Sequence, residues 1–352
     1  MRYIAFLIII GFVFSCNKDE TTRSDVYKLQ HKGLPAPNLP SDNILTHDGV
    51  ELGRRLFYEK ALSLDNTISC ASCHIQEFAF GDPNRFSIGV NGLLGNRQAM
   101  GVINLAWNDN EFFWDGRAHL LRDQAVLPIQ DPLEMQETIE NVIQKLGQLD
   151  YINRFNDVFG SEDITEERIG LALEQFMITL VSNNSKYDKV QAGEATFSPS
   201  EERGRKLFFD PVNPTDPQNS GAFCVKCHGG PNFANNQYMN NGLDLDEDIL
   251  DPGRYNVTQN INDTGAFRVP TLRNIELTAP YMHDGRFETL EQVVDHYNNG
   301  VQQSAGTDLG LVFIQNGGGL QLTQQEKSDL VAFLKTLTDP TFINNPKYSD
   351  PF

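Results

Sequence analysis

The chain is short of cysteine, of cationic side chains and of long apolar runs, and each shortage removes a class of protein. Its 352 residues hold five cysteines. Four fall in two tight clusters and the fifth, Cys16, stands alone near the N-terminus. No pair is left for a structural disulfide, so the fold has to be held by burial and by whatever the clusters bind. Lysine and arginine total 28 against 47 aspartate and glutamate, a formal charge of −19. Nucleic acid is excluded as a partner, because phosphate backbones are bound by clustered cations. An acidic surface suits either solubility alone or the docking of a basic protein such as a small cytochrome. The apolar run Ile4 to Phe14 is too short to span a bilayer as a mature helix. The length of 352 residues is enough for two ordinary domains, and at 39% hydrophobic content no long stretch is compositionally disordered.

Residues 1–15 read as a targeting segment, with Arg2 before the apolar run. The run ends at Val13-Phe14-Ser15-Cys16, a small residue before a lone cysteine. That pattern resembles a lipobox, in which Cys16 carries a lipid and becomes the first mature residue. The alternative is an ordinary signal peptide with Cys16 as a bystander. The lipoprotein reading gives an exported, unpaired thiol a purpose, and it places the protein in the cell envelope, held to a membrane through its lipid alone. Residues 16–43, with Pro35, Pro37 and Pro40, read as a tether.

The two cysteine clusters are Cys70-Ala71-Ser72-Cys73-His74 and Cys224-Val225-Lys226-Cys227-His228. Cys-x-x-Cys-His is the attachment signature of a c-type haem. Two thiols one turn apart can each bond a vinyl group of one porphyrin, and the next residue, His, falls under the iron. A redox dithiol or half of a zinc site would also use Cys-x-x-Cys, but two copies, each followed directly by His, favour two covalent haems. Haem c attachment takes place outside the cytoplasm, in agreement with the targeting segment.

The body repeats itself. Leu52-Gly53-Arg54-Arg55-Leu56-Phe57-Tyr58 precedes the first cluster, and Arg203-Gly204-Arg205-Lys206-Leu207-Phe208-Phe209 precedes the second. Trp114-Asp115-Gly116-Arg117 is echoed by His283-Asp284-Gly285-Arg286. The expected fold is mostly α, two c-type cytochrome-like haem domains with long loops and little β, over residues 44–190 and 191–345. Met135, Ile139, Val142, Ile143 and Leu146 recur at helical spacing, and Ile169, Leu173, Phe176 and Leu180 mark another helix that starts at Thr165. Ser198-Pro199-Ser200-Glu201 and Thr323-Gln324-Gln325-Glu326 are capping boxes that open two further helices. The Gly-rich stretch Ser87 to Arg97 reads as a loop over the first haem, and the acidic run Asp244, Asp246, Glu247, Asp248 and Asp251 as a solvated face.

Two further blocks narrow the reading. Phe113-Trp114-Asp115-Gly116-Arg117 with Gln124, Ala125, Pro128, Glu134 and Met135 is one, and Leu272 to Gly285 is the other. With both haem motifs they resemble the bacterial dihaem cytochrome c peroxidase family, including its MauG-like members. The resemblance implies reduction of hydrogen peroxide to water with electrons from a small redox protein, a cytochrome c or a cupredoxin. The haem held by Cys70, Cys73 and His74 is then the peroxide-reactive one, with Glu134 as the distal acid–base and Gln124 as a distal amide. Outside the family, Glu134 reads first as a surface carboxylate opening a helix. Trp114 matches a tryptophan between the haems. The haem held by Cys224, Cys227 and His228 is the entry point for electrons.

The other axial ligand of the second haem falls by register at Tyr297, as in MauG-like members, where many peroxidases carry Met; His296 and Met282 are the alternatives. Many relatives carry a His in the loop before the Arg that matches Arg97, and it blocks the peroxidatic iron; here that register holds Val90. The resemblance therefore implies a first haem that is open without prior reduction. It also implies one calcium ion, at Gln98, Thr278 and Pro280, and a homodimer. A MauG-like oxidase of a partner protein and a plain electron-transfer cytochrome are the rival functions.

Overall fold

The computed structural model describes residues 25–213, 215–216 and 220–352. The targeting segment and Cys16 lie outside the described residues. The first part of the chain carries helices α1 (His47–Tyr58), α2 (Cys70–Cys73), α3 (Leu121–Gln130), α4 (Ile139–Gln148), α5 (Ile152–Phe159), α6 (Glu166–Ile178) and α7 (Lys186–Gln191). The second carries α8 (Pro199–Phe209), α9 (Tyr255–Thr258), α10 (Leu290–Asp295), α11 (Leu309–Asn316), α12 (Gln324–Lys335) and α13 (Pro340–Ile343). Among the described residues, regular strand is confined to a short antiparallel ribbon, β1 (Tyr238–Met239) with β2 (Phe267–Arg268). The architecture is the mostly helical one expected.

The repeat seen in the sequence is a repeated helix pair. In α1 the buried residues Gly49, Leu52, Gly53, Leu56 and Phe57 share one stripe, which packs on α6. Thr46 caps this helix by accepting the Gly49 N–H at 3.0 Å. In α8 the stripe is Gly204, Leu207 and Phe208, packed on α12. Pro199 opens that helix, and Ser198 and Glu201 close its capping box. Each pair crosses at a glycine. A Cβ on Gly53 would stand 1.9 Å from the Ala172 carbonyl oxygen, and one on Gly204 1.9 Å from that of Asp329. No side chain fits at either crossing, so Gly53 and Gly204 set how closely each pair packs. The Asp-Gly-Arg echo is also structural. Phe112 bridges Ala118 and Tyr281 bridges Phe287, and Asp115 and Asp284 each accept the N–H two residues on at 3.2 Å.

Two apolar cores result. One gathers Leu52, Leu56, Phe57, Phe80, Phe155 and Phe176; the other Leu207, Phe208, Phe233, Leu330, Phe333 and Leu337. Each such side chain contributes about 1.5–3 kcal/mol on burial. The end of the chain returns to the first core through Phe342 and Tyr348, while Tyr187 of α7 packs against the second.

Two expectations change. Met135 does not belong to α4, because Thr138 caps that helix and Met135 sits in the turn before it, its N–H bonded to the Pro128 carbonyl at 3.2 Å. The acidic run is not uniformly solvated. Asp251 takes Arg97 at 2.7 and 2.9 Å, and Asp244 takes Arg286 at 2.9 and 3.0 Å. Asp246, Glu247 and Asp248 do remain exposed.

Candidate active site

Each Cys-x-x-Cys-His segment lines its own cavity. The first, of about 720 Å3, is walled by Cys70, Cys73 and His74 together with Trp114, Gln124 and Glu134. The second, of about 520 Å3, is walled by Cys224, Cys227 and His228 together with Met282 and Tyr297. Both are of the size that holds a cofactor.

The cysteines are presented by a single helical turn. In each motif the His N–H closes the turn on the carbonyl of the first cysteine at 2.9 Å. Burial pushes the thiols of Cys70 and Cys224 up to about 12 and that of Cys73 to about 11. Paired thiols in apolar walls suit thioether attachment. The histidines are oriented by their other nitrogen. His74 Nδ1 lies 2.9 Å from the Phe80 carbonyl, and His228 Nδ1 lies 3.3 Å from Phe233 O and 3.2 Å from Pro270 O. A carbonyl at Nδ1 makes that atom the N–H and leaves Nε2 as the lone-pair ligand. Desolvation lowers both histidines, His228 to about 4, so the neutral ligand form prevails. The donor sets and walls fit two c-type haems.

Glu134 is not a surface carboxylate opening a helix. It sits in the turn between α3 and α4, facing the first cavity. The Gly-rich loop holds that turn from beneath. The Val90 N–H donates to the Glu134 carbonyl at 2.8 Å, and a Cβ on Gly89 would stand 2.0 Å from Leu133 O. Desolvation, helped by Asp131 and opposed by Arg117, pushes the Glu134 carboxyl up to about 7. Such a group gives and takes protons near neutral pH. Gln124, one turn into α3, lines the same cavity.

Trp114 faces both cavities. Of the three candidates at the second iron, Tyr297 and Met282 line the cavity, and Asn241 Nδ2 reaches both, at 3.4 Å from the phenol oxygen and 3.3 Å from the sulfur. His296 does not line it; its Nε2 is 3.0 Å from the Asn241 carbonyl. Tyr297 is carried into place by a π-helical turn, His296–Gly300, that follows α10. Gln98, Thr278 and Pro280 line the second cavity, with Gln98 shared by the first. His283 is stacked on Phe267 at 3.7 Å.

Sequence reasoning missed two residues. Arg117, whose charge opposes the rise of Glu134, lies inside a quoted block but was given no role; its guanidinium stands 3.5 Å over Phe113. Arg268, on the wall of both cavities, stands in no motif and gave no signal.

A model of the di-haem cytochrome c peroxidase family matches residues 47–196. A cytochrome c551 peroxidase of Nitrosomonas europaea is 38% identical over 297 residues, 83% of this chain and 80% of that protein. The chain belongs to the di-haem cytochrome c peroxidase family. The methylamine utilization protein MauG of Methylophilus methylotrophus is 32% identical over 311 residues, 86% of this chain and 85% of that one. A solved MauG-like protein associated with microbial copper homeostasis superposes with a TM-score of 0.81 at 35% identity, covering 92% of this chain and 98% of that one. This family member is a di-haem c-type peroxidase. No helix among its described residues is long and apolar enough to cross a membrane.

Proposed function

We propose that this peroxidase reduces hydrogen peroxide to water in the first cavity, with electrons from a small redox protein entering through the second. When bound, the haems take up electrons and deliver them to peroxide. The observation that carries the reading is Glu134, a carboxyl poised near neutrality on the wall that also holds His74. Reducing H2O2 to two waters consumes two electrons and two protons. Glu134 takes the proton of incoming peroxide and returns it to the departing oxygen. Gln124 offers its amide to hold the peroxide oxygens. Trp114, on both walls, carries electrons between the cavities.

Tyr297 is proposed as the second haem's distal ligand, supported by its place in that cavity and by the Asn241 contact that turns His296 away. The first haem is proposed to be open in the resting protein, since Val90 is buried and offers no ligand. Calcium is proposed at the amide oxygen of Gln98 and the carbonyls of Thr278 and Pro280. The Gln98 Nε2 is spent on the Asp82 carbonyl at 3.0 Å, and among the described residues no donor reaches the three oxygens. Oxygen ligands with loose geometry are what calcium takes, with water completing the shell. Export with a lipid on Cys16 is proposed on the lipobox alone.

The second reading, an oxidase of a partner protein, is favoured by Tyr297 and by the MauG relatives. Steady-state peroxide consumption with reduced cytochrome c, in wild type and Glu134→Gln, separates the two. Fast turnover that collapses in the variant supports the peroxidase. Slow turnover with a long-lived oxidised protein supports the oxidase, and no reaction with peroxide leaves an electron carrier.

A further inference from the structure

Arg268 is a half-buried cation with no anionic partner among the described residues. It stands in β2, opposite Tyr238, with its backbone N–H on the Trp114 carbonyl at 2.7 Å. Its side chain lines both cavities. Nε is shielded from solvent and meets no hydrogen-bond partner. The other arginines on the cavity walls hold carboxylates: Arg97 has Asp115 and Asp251, Arg117 has Asp115, Arg273 has Asp188. Among the described residues no carboxylate pairs with Arg268. Burial pushes its guanidinium down to about 10, and Tyr238 is the one group whose charge opposes that fall. A buried charge left unpaired is strongly unfavourable, and a fold retains one where an anion will meet it.

The cavities supply that anion once filled. A porphyrin of this type is apolar apart from two propionate carboxylates on one edge, and the walls here are apolar apart from a few polar groups. We propose that Arg268 is the shared anchor of the haem carboxylates: at the seam between the cavities its planar fork takes one propionate from each porphyrin. Five N–H donors in one plane serve two carboxylates from different sides. The anchor fixes the turn of each ring about its thioether bonds, and it places one positive charge beside both irons and Trp114. That charge favours the reduced state of both haems. The inference rests on the di-haem reading.

The test uses the exported, haem-loaded protein. Mass spectrometry first counts covalent haems; a wild type with fewer than two removes the premise and the proposal with it. Spectroelectrochemical titration then follows wild type, Arg268→Gln and Arg268→Lys. The expected result is a fall in both midpoint potentials in Arg268→Gln, largely recovered in Arg268→Lys. A fall in one potential, or in neither, overturns the shared anchor. If neither variant folds, resonance Raman of the wild type decides. Propionate bending modes of both haems should show strong hydrogen bonding, and unbonded modes at either haem overturn the proposal.

Discussion

Trp114 donates its indole N–H to the backbone carbonyl of Gln98 at 2.8 Å, and both residues face both cavities. The indole is therefore held in the wall that the two cavities share, where the proposed electron path runs. Replacing it by Phe keeps an aromatic body and loses the tether; replacing it by Ala loses both. Peroxide turnover should fall about tenfold in Trp114→Phe, about 1.4 kcal/mol of barrier, and further in Trp114→Ala. Wild-type turnover in the Ala variant, measured at steady state with reduced cytochrome c, removes Trp114 from the path.

Glu134 should set the pH dependence. Its carboxyl is raised to about 7 by desolvation, so the base form gains as pH rises through 7 and the peroxide reaction should accelerate over that range. Glu134→Gln should lose this limb and about 10²–10⁴-fold in rate. The same shift has a stability consequence. A carboxyl with a raised folded value contributes most below its unfolded value of about 4.3 and loses that contribution as pH climbs through 7. The Gln variant should therefore melt higher than wild type at pH about 8 and no higher at pH about 4. Rates and melting curves against pH check both statements.

The two neighbours Tyr297 and His296 should behave differently. With Tyr297 as the proposed ligand, Tyr297→Met exchanges an anionic oxygen for a thioether and should raise the second haem's potential by on the order of 0.1 V, part of the roughly 0.8 V span that axial ligands command. His296→Gln should leave the ferric spectrum of that haem unchanged, because the ring is engaged by Asn241 outside the cavity. A spectrum altered by the His296 variant and untouched by the Tyr297 variant reverses the assignment.

Away from the chemistry, Arg273 is the largest fully buried side chain among the described residues and grips Asp188 with two bonds of 2.9 Å. Removing one partner of such a pair costs about 3–5 kcal/mol. Arg273→Ala should lower the melting temperature of the loaded protein accordingly. Arg273 and Ser185 hold the Asp188 carboxyl below its usual range against the pull of burial. The stability it contributes is present above the unfolded value of about 3.9 and lost as pH falls through the folded one. Acid sensitivity in that range should shrink in the variant, as thermal unfolding at neutral and acid pH will show.

What the sequence disclosed was local chemistry and repetition. Cys-x-x-Cys-His and the capping boxes at Ser198 and Thr323 each depend on neighbours a few residues apart, so their patterns survive in one dimension, whereas the repeat around Gly53 and Gly204 showed as a likeness but not as two helix crossings on Ala172 and Asp329. Glu134 and Gln124 were picked out by the blocks around them, and both line the first cavity. Contacts made over long separations were hidden. Nothing near Asp251 announces Arg97, nothing near Val90 announces the Glu134 carbonyl, and nothing near Arg268 announces a place on two walls. Apolar periodicity could not show that Phe342 and Tyr348 turn back to the first core, because a core-facing aromatic looks alike in either half.

The central claim is that the first iron is accessible while the second is capped on both sides, and adding cyanide to the oxidised protein as isolated tests it most directly. Rapid formation of a cyanide complex at one haem, with the other unchanged and no reductant present, is the predicted result. Two haems that both ignore cyanide, before and after one electron is added, would contradict it.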